Sequence, residues 1–93
     1  MGNRALSIAA ELQLVELVRL LLDHPDIQVN ARDERGDTAL HRAFVAGETS
    51  PEVLRLLLAH GADLSLKNAD GLTPHELAQR MGRGQILDRV LRE

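Results

Sequence analysis

The chain is 93 residues long, carries a formal net charge of −3 and is 44% hydrophobic, with Phe44 as its single aromatic residue. The length predicts one domain over residues 1–93 with one core. The negative charge and the lack of aromatic rings argue against nucleic-acid binding. Cysteine is absent, which excludes disulfides and thiolate metal sites. The apolar runs fall far short of the ~20 residues that span a bilayer, so we expect no membrane segment.

Two helical patterns occupy the start of the chain. Residues 1–4 lead directly into the first pattern and lack the layout of a signal peptide. The second pattern covers residues 15–22, where Leu17, Leu20 and Leu21 recur at helical spacing. We therefore expect an intracellular protein, either cytoplasmic or nuclear.

The middle of the chain repeats this organisation. Gly36 marks a turn, and an apolar helix is predicted over residues 53–58. Thr49 or Ser50 is expected to cap that helix, and Pro51 suits its first turn.

The end of the chain contains a third copy. Residues 71–78 match residues 36–43, and a last apolar helix is predicted over residues 86–91. Residues 82–84 are too short and too late in their unit for a phosphate-binding loop, and they are better interpreted as a turn between helices.

These copies form an internal repeat. Glycines at positions 2, 36 and 71 are 34 and 35 residues apart, which predicts units of about 2–35, 36–70 and 71–93. Each unit is too small to bury its own apolar face, so neighbouring units must stack into one continuous core.

Two segments resemble the ankyrin repeat, whose usual period is 33 residues. They are residues 38–41, Thr-Ala-Leu-His, and residues 56–63, Leu-Leu-Leu-Ala-His-Gly-Ala-Asp. The resemblance covers essentially the whole chain. It implies an all-α solenoid of three helix-turn-helix units with projecting loops and β-turns. Extra residues within 26–28 and 48–51 explain the longer period, since loops tolerate insertions.

Catalytic chemistry is not indicated. The four histidines lack metal-binding spacing, and the loop carboxylates have no accompanying nucleophile or phosphate-binding loop. The resemblance implies that His41 holds its turn by hydrogen bonds to backbone, and Asn30 is expected to bond the loop backbone. We predict no enzyme activity, no cofactor and no metal.

The resemblance instead implies a protein-interaction module. Its partner would bind the loop tips and the concave side of the first helices, with Arg32 and Arg35 as the main charged anchors. The alternative for any one of these residues is an ordinary solvated charge. The alternative for the whole chain is a structural or engineered scaffold, or a fragment of a longer array, with no selected partner. The residues predicted for the surface are Glu11, Leu12, Arg32, Glu34, Arg35, Asp37, Val45, Ala46, Lys67, Ala69, Asp70, Leu72, Arg80 and Met81.

The two ends of the stack are expected to differ. The last unit surrounds a narrow apolar stripe with polar residues, as a terminal repeat requires. The first unit instead offers more apolar residues than one neighbour covers: Ile8, Leu12, Leu14, Val15, Leu17, Val18, Leu21 and Leu22. We expect this end to be covered by self-association, by a partner or by further repeats. The alternative is that Leu12 and Leu14 are single exposed residues that need no explanation.

Overall fold

The computed structural model describes residues 3–93, so the predicted turn glycine at position 2 lies outside the described residues. The described chain forms six helices and no strand, as the predicted all-α class requires. The helices are α1 Asn3–Glu11, α2 Val15–Leu22, α3 Ala39–Arg42, α4 Pro51–Ala59, α5 Pro74–Arg80 and α6 Gly84–Leu91.

The helices stack in three pairs. Within the pairs, α1 contacts α2, α3 contacts α4 and α5 contacts α6. Between the pairs, the first helices α1, α3 and α5 contact one another in order, and the second helices α2, α4 and α6 do the same. The apolar core is aliphatic apart from Phe44, and Val18, Leu54 and Leu87 are buried at equivalent positions of the three second helices. The predicted stack of three helix pairs is confirmed.

Threonine side chains begin the first helices of the second and third pairs. Thr38 accepts a hydrogen bond from the backbone N–H of His41, and Thr73 accepts one from Glu76. In both pairs the later side chain bonds back to the threonine N–H, which completes a capping box. These caps fix where α3 and α5 begin, and therefore where the loops before them end.

The helix α3 is shorter than its counterparts, and the two carbonyls that follow it accept hydrogen bonds from side chains. The carbonyl of Ala43 accepts from Gln13 Nε2 at 2.9 Å and from Thr49 Oγ1 at 3.0 Å. The carbonyl of Phe44 accepts from Arg83 Nη1 at 3.0 Å. Carbonyls at a helix end have no partner within the helix, so these side chains take that role.

Two sequence expectations are corrected here. Val45 and Ala46 lie after α3 and not on the first helix of the middle unit, and both are half-buried. Thr49 does not cap α4, because it is buried and its hydroxyl bonds to Ala43. Ser50 occupies the cap position without a side-chain bond, and Pro51 begins the helix as predicted.

Candidate partner-binding surface

Two loop tips, residues 33–37 and 68–72, have the same internal hydrogen bonds. The carboxylate of Asp33 accepts from the backbone N–H groups of Arg35 at 2.8 Å and Asp37 at 3.0 Å. The side-chain oxygen of Asn68 makes the equivalent pair of bonds, two and four residues further on, both at 3.0 Å. One short polar side chain therefore shapes each tip.

The two tips are bonded to each other. The N–H of Ala69 donates to the carbonyl of Arg35 at 2.8 Å, and Asn68 Nδ2 donates to Asp37 Oδ1 at 2.9 Å. Buried His41 adds a third link, because its Nε2 lies 2.9 Å from the carbonyl of Leu72. The two tips consequently form one connected surface.

The close approach of the tips requires glycine at position 36. A Cβ added to Gly36 would lie 2.8 Å from the backbone nitrogen of Ala69, the atom that donates to Arg35. Gly71 has a similar positive φ, 76° against 74°, but a Cβ there would meet no atom within 4 Å.

Gly36→Ala should therefore destabilise the chain more than Gly71→Ala. The positive φ costs either variant about 1–2 kcal/mol. Overlap with the second tip should cost Gly36→Ala roughly a further 1–3 kcal/mol. Urea unfolding of the two variants, monitored by circular dichroism, measures the difference. Equal losses would contradict the close packing of the tips.

Two grooves lie beside the tips. The first groove, of about 780 Å³, runs between α1 and the first tip. Its lining residues are Arg4, Ser7, Ile8, Glu11, Ala31, Arg32, Asp33, Glu34, Arg35 and Arg42. The second groove, of about 510 Å³, runs between the two tips and is lined by Glu34, Arg35, Asp37, Val45, Asn68, Ala69, Asp70 and Leu77. Glu34 and Arg35 line both grooves, so the two are adjacent.

More than half of the residues predicted for the surface line one of these grooves. Predicted residues that line a groove are Glu11, Arg32, Glu34, Arg35, Asp37, Val45, Ala69 and Asp70. Those that line neither groove are Leu12, Ala46, Lys67, Leu72, Arg80 and Met81. The grooves therefore lie nearer the first unit than the sequence suggested.

The sequence predicted that Asp37 is exposed at a tip, but the structure shows that it is buried. Only 4% of the residue is exposed, and its carboxylate lies 3.6 Å from Arg42 and accepts from Asn68. Leu72 is also not freely exposed; it is half-buried, and its backbone N–H and carbonyl bond to Asn68 and His41. Both residues hold the tips in place.

Sequence reasoning missed Arg4, Ser7, Ile8 and Arg42, which all line the first groove. Three of them precede Glu11 on α1 at spacings of three, four and seven residues. Such spacing places side chains along the same side of a helix. Glu11 was predicted for the surface, so the helical spacing from Glu11 would have predicted Arg4, Ser7 and Ile8 as well.

Arg42 gathers carboxylates at the floor of the first groove. It forms ion pairs with Glu11, with Asp33 at 3.9 Å and with Asp37 at 3.6 Å. Partial burial lowers the pKa of Arg42, but the hydrogen bond to Glu11 and the three negative charges raise it by more. The resulting pKa lies above the ordinary value, so the guanidinium stays charged and anchors α1 to the first tip.

Both ring nitrogens of His41 form hydrogen bonds to backbone groups. Its Nδ1 accepts from the backbone N–H of Thr38 at 3.1 Å, so the ring proton sits on Nε2 and donates to Leu72. Asn30 bonds across to the next loop, donating to the carbonyl of Gly61 and accepting from the N–H of Asp63. Both residues have the backbone-holding roles expected of them.

Within residues 3–93, no three histidine or acidic side chains are grouped so that they could hold a metal ion. None of the six helices has the length and apolar character needed to cross a membrane.

Comparison with known proteins gives consistent matches. A family model described as ankyrin repeats, in three copies, matches residues 1–68. NF-kappa-B inhibitor zeta of Bos taurus is 37% identical over 98% of the chain, and potassium channel AKT1 of Oryza sativa subsp. indica is 38% identical over 85% of it. The chain spans only 13% and 8% of the lengths of these relatives.

A solved structure is similar to the chain in both fold and sequence. An ankyrin repeat domain from Acinetobacter baumannii AYE superimposes with a TM-score of 0.81 and is 36% identical. The match covers 94% of the present chain and 45% of that domain.

Proposed function

The chain belongs to the ankyrin-repeat family, and we propose that it is a non-catalytic module that binds a protein partner along the two loop tips and the two grooves. Repeat stacks of this kind use extended concave surfaces to bind other proteins. The observation that carries the proposal is the bonded pair of tips, beside which Arg32, Glu34, Arg35 and Asp70 are exposed along two adjacent grooves.

Rigid tips favour binding over a passive scaffold role. A partner that meets ordered side chains loses less conformational entropy on association than one that must order a mobile loop. The tips are held by backbone bonds, by Asp33 and Asn68, and by buried His41. The exposed charges above them are left available for a partner.

A protein partner agrees with the relatives. One of them, by its name, inhibits NF-kappa-B. Because the chain spans a small part of that relative, we carry over only the class of ligand, a protein, and not its identity. An intracellular location, cytoplasmic or nuclear, is part of the same proposal, as is the absence of nucleic-acid and membrane partners.

Truncating both tips should weaken partner binding without unfolding the chain. Arg35→Ala combined with Asp70→Ala should reduce affinity by about tenfold or more, because two side chains beside the shared groove are lost. Replacing Ala69, which is exposed and lines the second groove, by a photo-crosslinking residue captures the partner from the source organism, and calorimetry with the purified partner then measures affinity.

The matched control changes Arg89 and Arg92 to alanine, since both are exposed at the far end of the stack. The control should bind normally. The assigned surface would be wrong if the control lost affinity while the tip variant kept it.

A second interaction is proposed for the first unit, which we infer associates with a second copy of the chain. Five large apolar side chains are exposed there: Ile8, Leu12, Leu14, Leu17 and Leu20. Elsewhere in the described chain only Met81 and Leu91 are comparably exposed. Ile8 also lines the first groove, so the name apolar face is kept for Leu12, Leu14, Leu17 and Leu20, which line neither groove.

A further inference from the structure

The charged side chains that line the first groove fall into two groups. We call the exposed arginines the rim, and the carboxylates paired with Arg42 the floor. The rim carries Arg4, Arg32 and Arg35, all exposed. None of the three forms an ion pair within 4.0 Å with a carboxylate of residues 3–93. The charge of Arg32 contributes, after the hydrogen bonds from Ser65, to lowering the pKa of Asp63, which does not line the groove.

The carboxylates of the floor already have partners. Glu11 pairs with Arg42, and Asp33 accepts two backbone N–H bonds beside the same guanidinium. Glu34 is the one lining carboxylate with no recorded ion pair among the described residues. Four arginines and three carboxylates line the groove, so its lining carries a net charge of +1, although the whole chain carries −3.

The first groove also has an apolar wall. Ile8 is about half exposed and lines the groove beside Arg4. An aliphatic side chain placed against Ile8 would bury apolar surface on both partners. A ligand with carboxylates alone would leave this wall in contact with water.

We propose that the first groove binds an acidic protein segment that also carries aliphatic side chains. The inference rests on the proposed function and specifies the chemistry of the partner. Carboxylates of the segment pair with Arg4, Arg32 and Arg35, and an aliphatic side chain packs on Ile8. Charge complementarity of this kind sets specificity and the rate of association more than affinity.

A nucleic acid is the competing anionic ligand, and the structure favours the peptide. The backbone of single-stranded nucleic acid is bound along a positively charged groove, with aromatic rings stacked on its bases. Here the floor is lined by carboxylates, and the single aromatic residue, Phe44, is buried. A peptide, unlike a nucleic acid, need not carry a negative charge at every position, so its carboxylates can lie beside the rim arginines and away from the floor carboxylates.

Fluorescence anisotropy with short synthetic peptides tests the inference on the intact chain. The probe is a labelled peptide of regularly spaced leucines with glutamate at the other positions, and its counterpart carries lysine in place of glutamate. We expect the glutamate peptide to bind, the lysine peptide not to bind, and added salt to weaken the binding.

Charge reversal locates the binding. Arg32→Glu with Arg35→Glu should weaken the glutamate peptide by about tenfold or more, since two attractions become two repulsions. The control Arg89→Glu with Arg92→Glu makes the same change in net charge on exposed residues outside the groove and should bind normally.

Three results would overturn the inference. They are no binding of the glutamate peptide, equal weakening by both double variants, or tighter binding of a labelled oligothymidine than of the peptide. The proposed function is tested separately from this inference. If the chain bound a protein partner without an acidic segment, and lost that binding in the Arg35 and Asp70 variant, the proposed function would stand and the inference would fail.

Discussion

Leu57→Ala should lower the free energy of unfolding by roughly 2–5 kcal/mol, the usual cost of a large cavity in a packed core. Leu57 has no exposed surface and lies in α4, the second helix of the middle pair. That helix contacts both α2 and α6, so Leu57 is buried in the middle of the stack. Small domains are stable by only about 5–15 kcal/mol, and this loss is a large part of that total.

Urea unfolding monitored by far-ultraviolet circular dichroism measures the effect. Leu91→Ala is the matched control, because Leu91 lies in a second helix but is 45% exposed. The control should change stability by no more than about 0.5 kcal/mol. A midpoint for Leu57→Ala equal to that of the control would show that Leu57 does not fill the core.

The repeat period made much of the fold predictable. Helical spacing of leucines placed the second helices, and the resemblance to the ankyrin repeat gave His41 its backbone-holding role. These features depend on residues close in sequence, or on a spacing that recurs in every unit. The family and the all-α stack could therefore be predicted from the chain alone.

The errors concern contacts between units that the repeat does not encode. The carbonyls that follow α3 accept from Gln13 and Arg83, which lie 30 and 39 residues away. The buried carboxylate of Asp37 accepts from Asn68, 31 residues away. No periodic pattern marks these pairs, so the sequence did not show that Val45 and Ala46 follow α3 or that Asp37 is buried.

Equivalent positions of the second helices show which side of each unit is covered. Leu17 of α2 aligns with Val53 of α4, yet Leu17 is 41% exposed while Val53 has no exposed surface. Along the other side, Leu22 is buried, Leu58 is half-buried and Leu91 is exposed. The first side is therefore covered by the preceding unit and the second side by the following unit. Leu17, within the apolar face, therefore lies on the side that the preceding unit covers in the middle of the stack.

The occupant we propose is a second copy, related by a twofold axis. The other end of the stack presents Arg89, Arg92 and exposed Leu91, so copies joined head to tail would set charges against leucines. Two apolar faces match each other, and a pair joined in this way closes without further growth.

Self-association should therefore stop at a dimer and should fail in Leu17→Glu. Light scattering across a concentration series should show the mass rising from 10.2 kDa towards twice that value. A glutamate at position 17 would have to be buried without a partner in the dimer, which is costly, whereas in the monomer it remains in water. Leu91→Glu, equally exposed but at the opposite end, should still form dimers. A monomer at every concentration, or dimers that survive Leu17→Glu and are lost in Leu91→Glu, would show that a second copy does not bind this face.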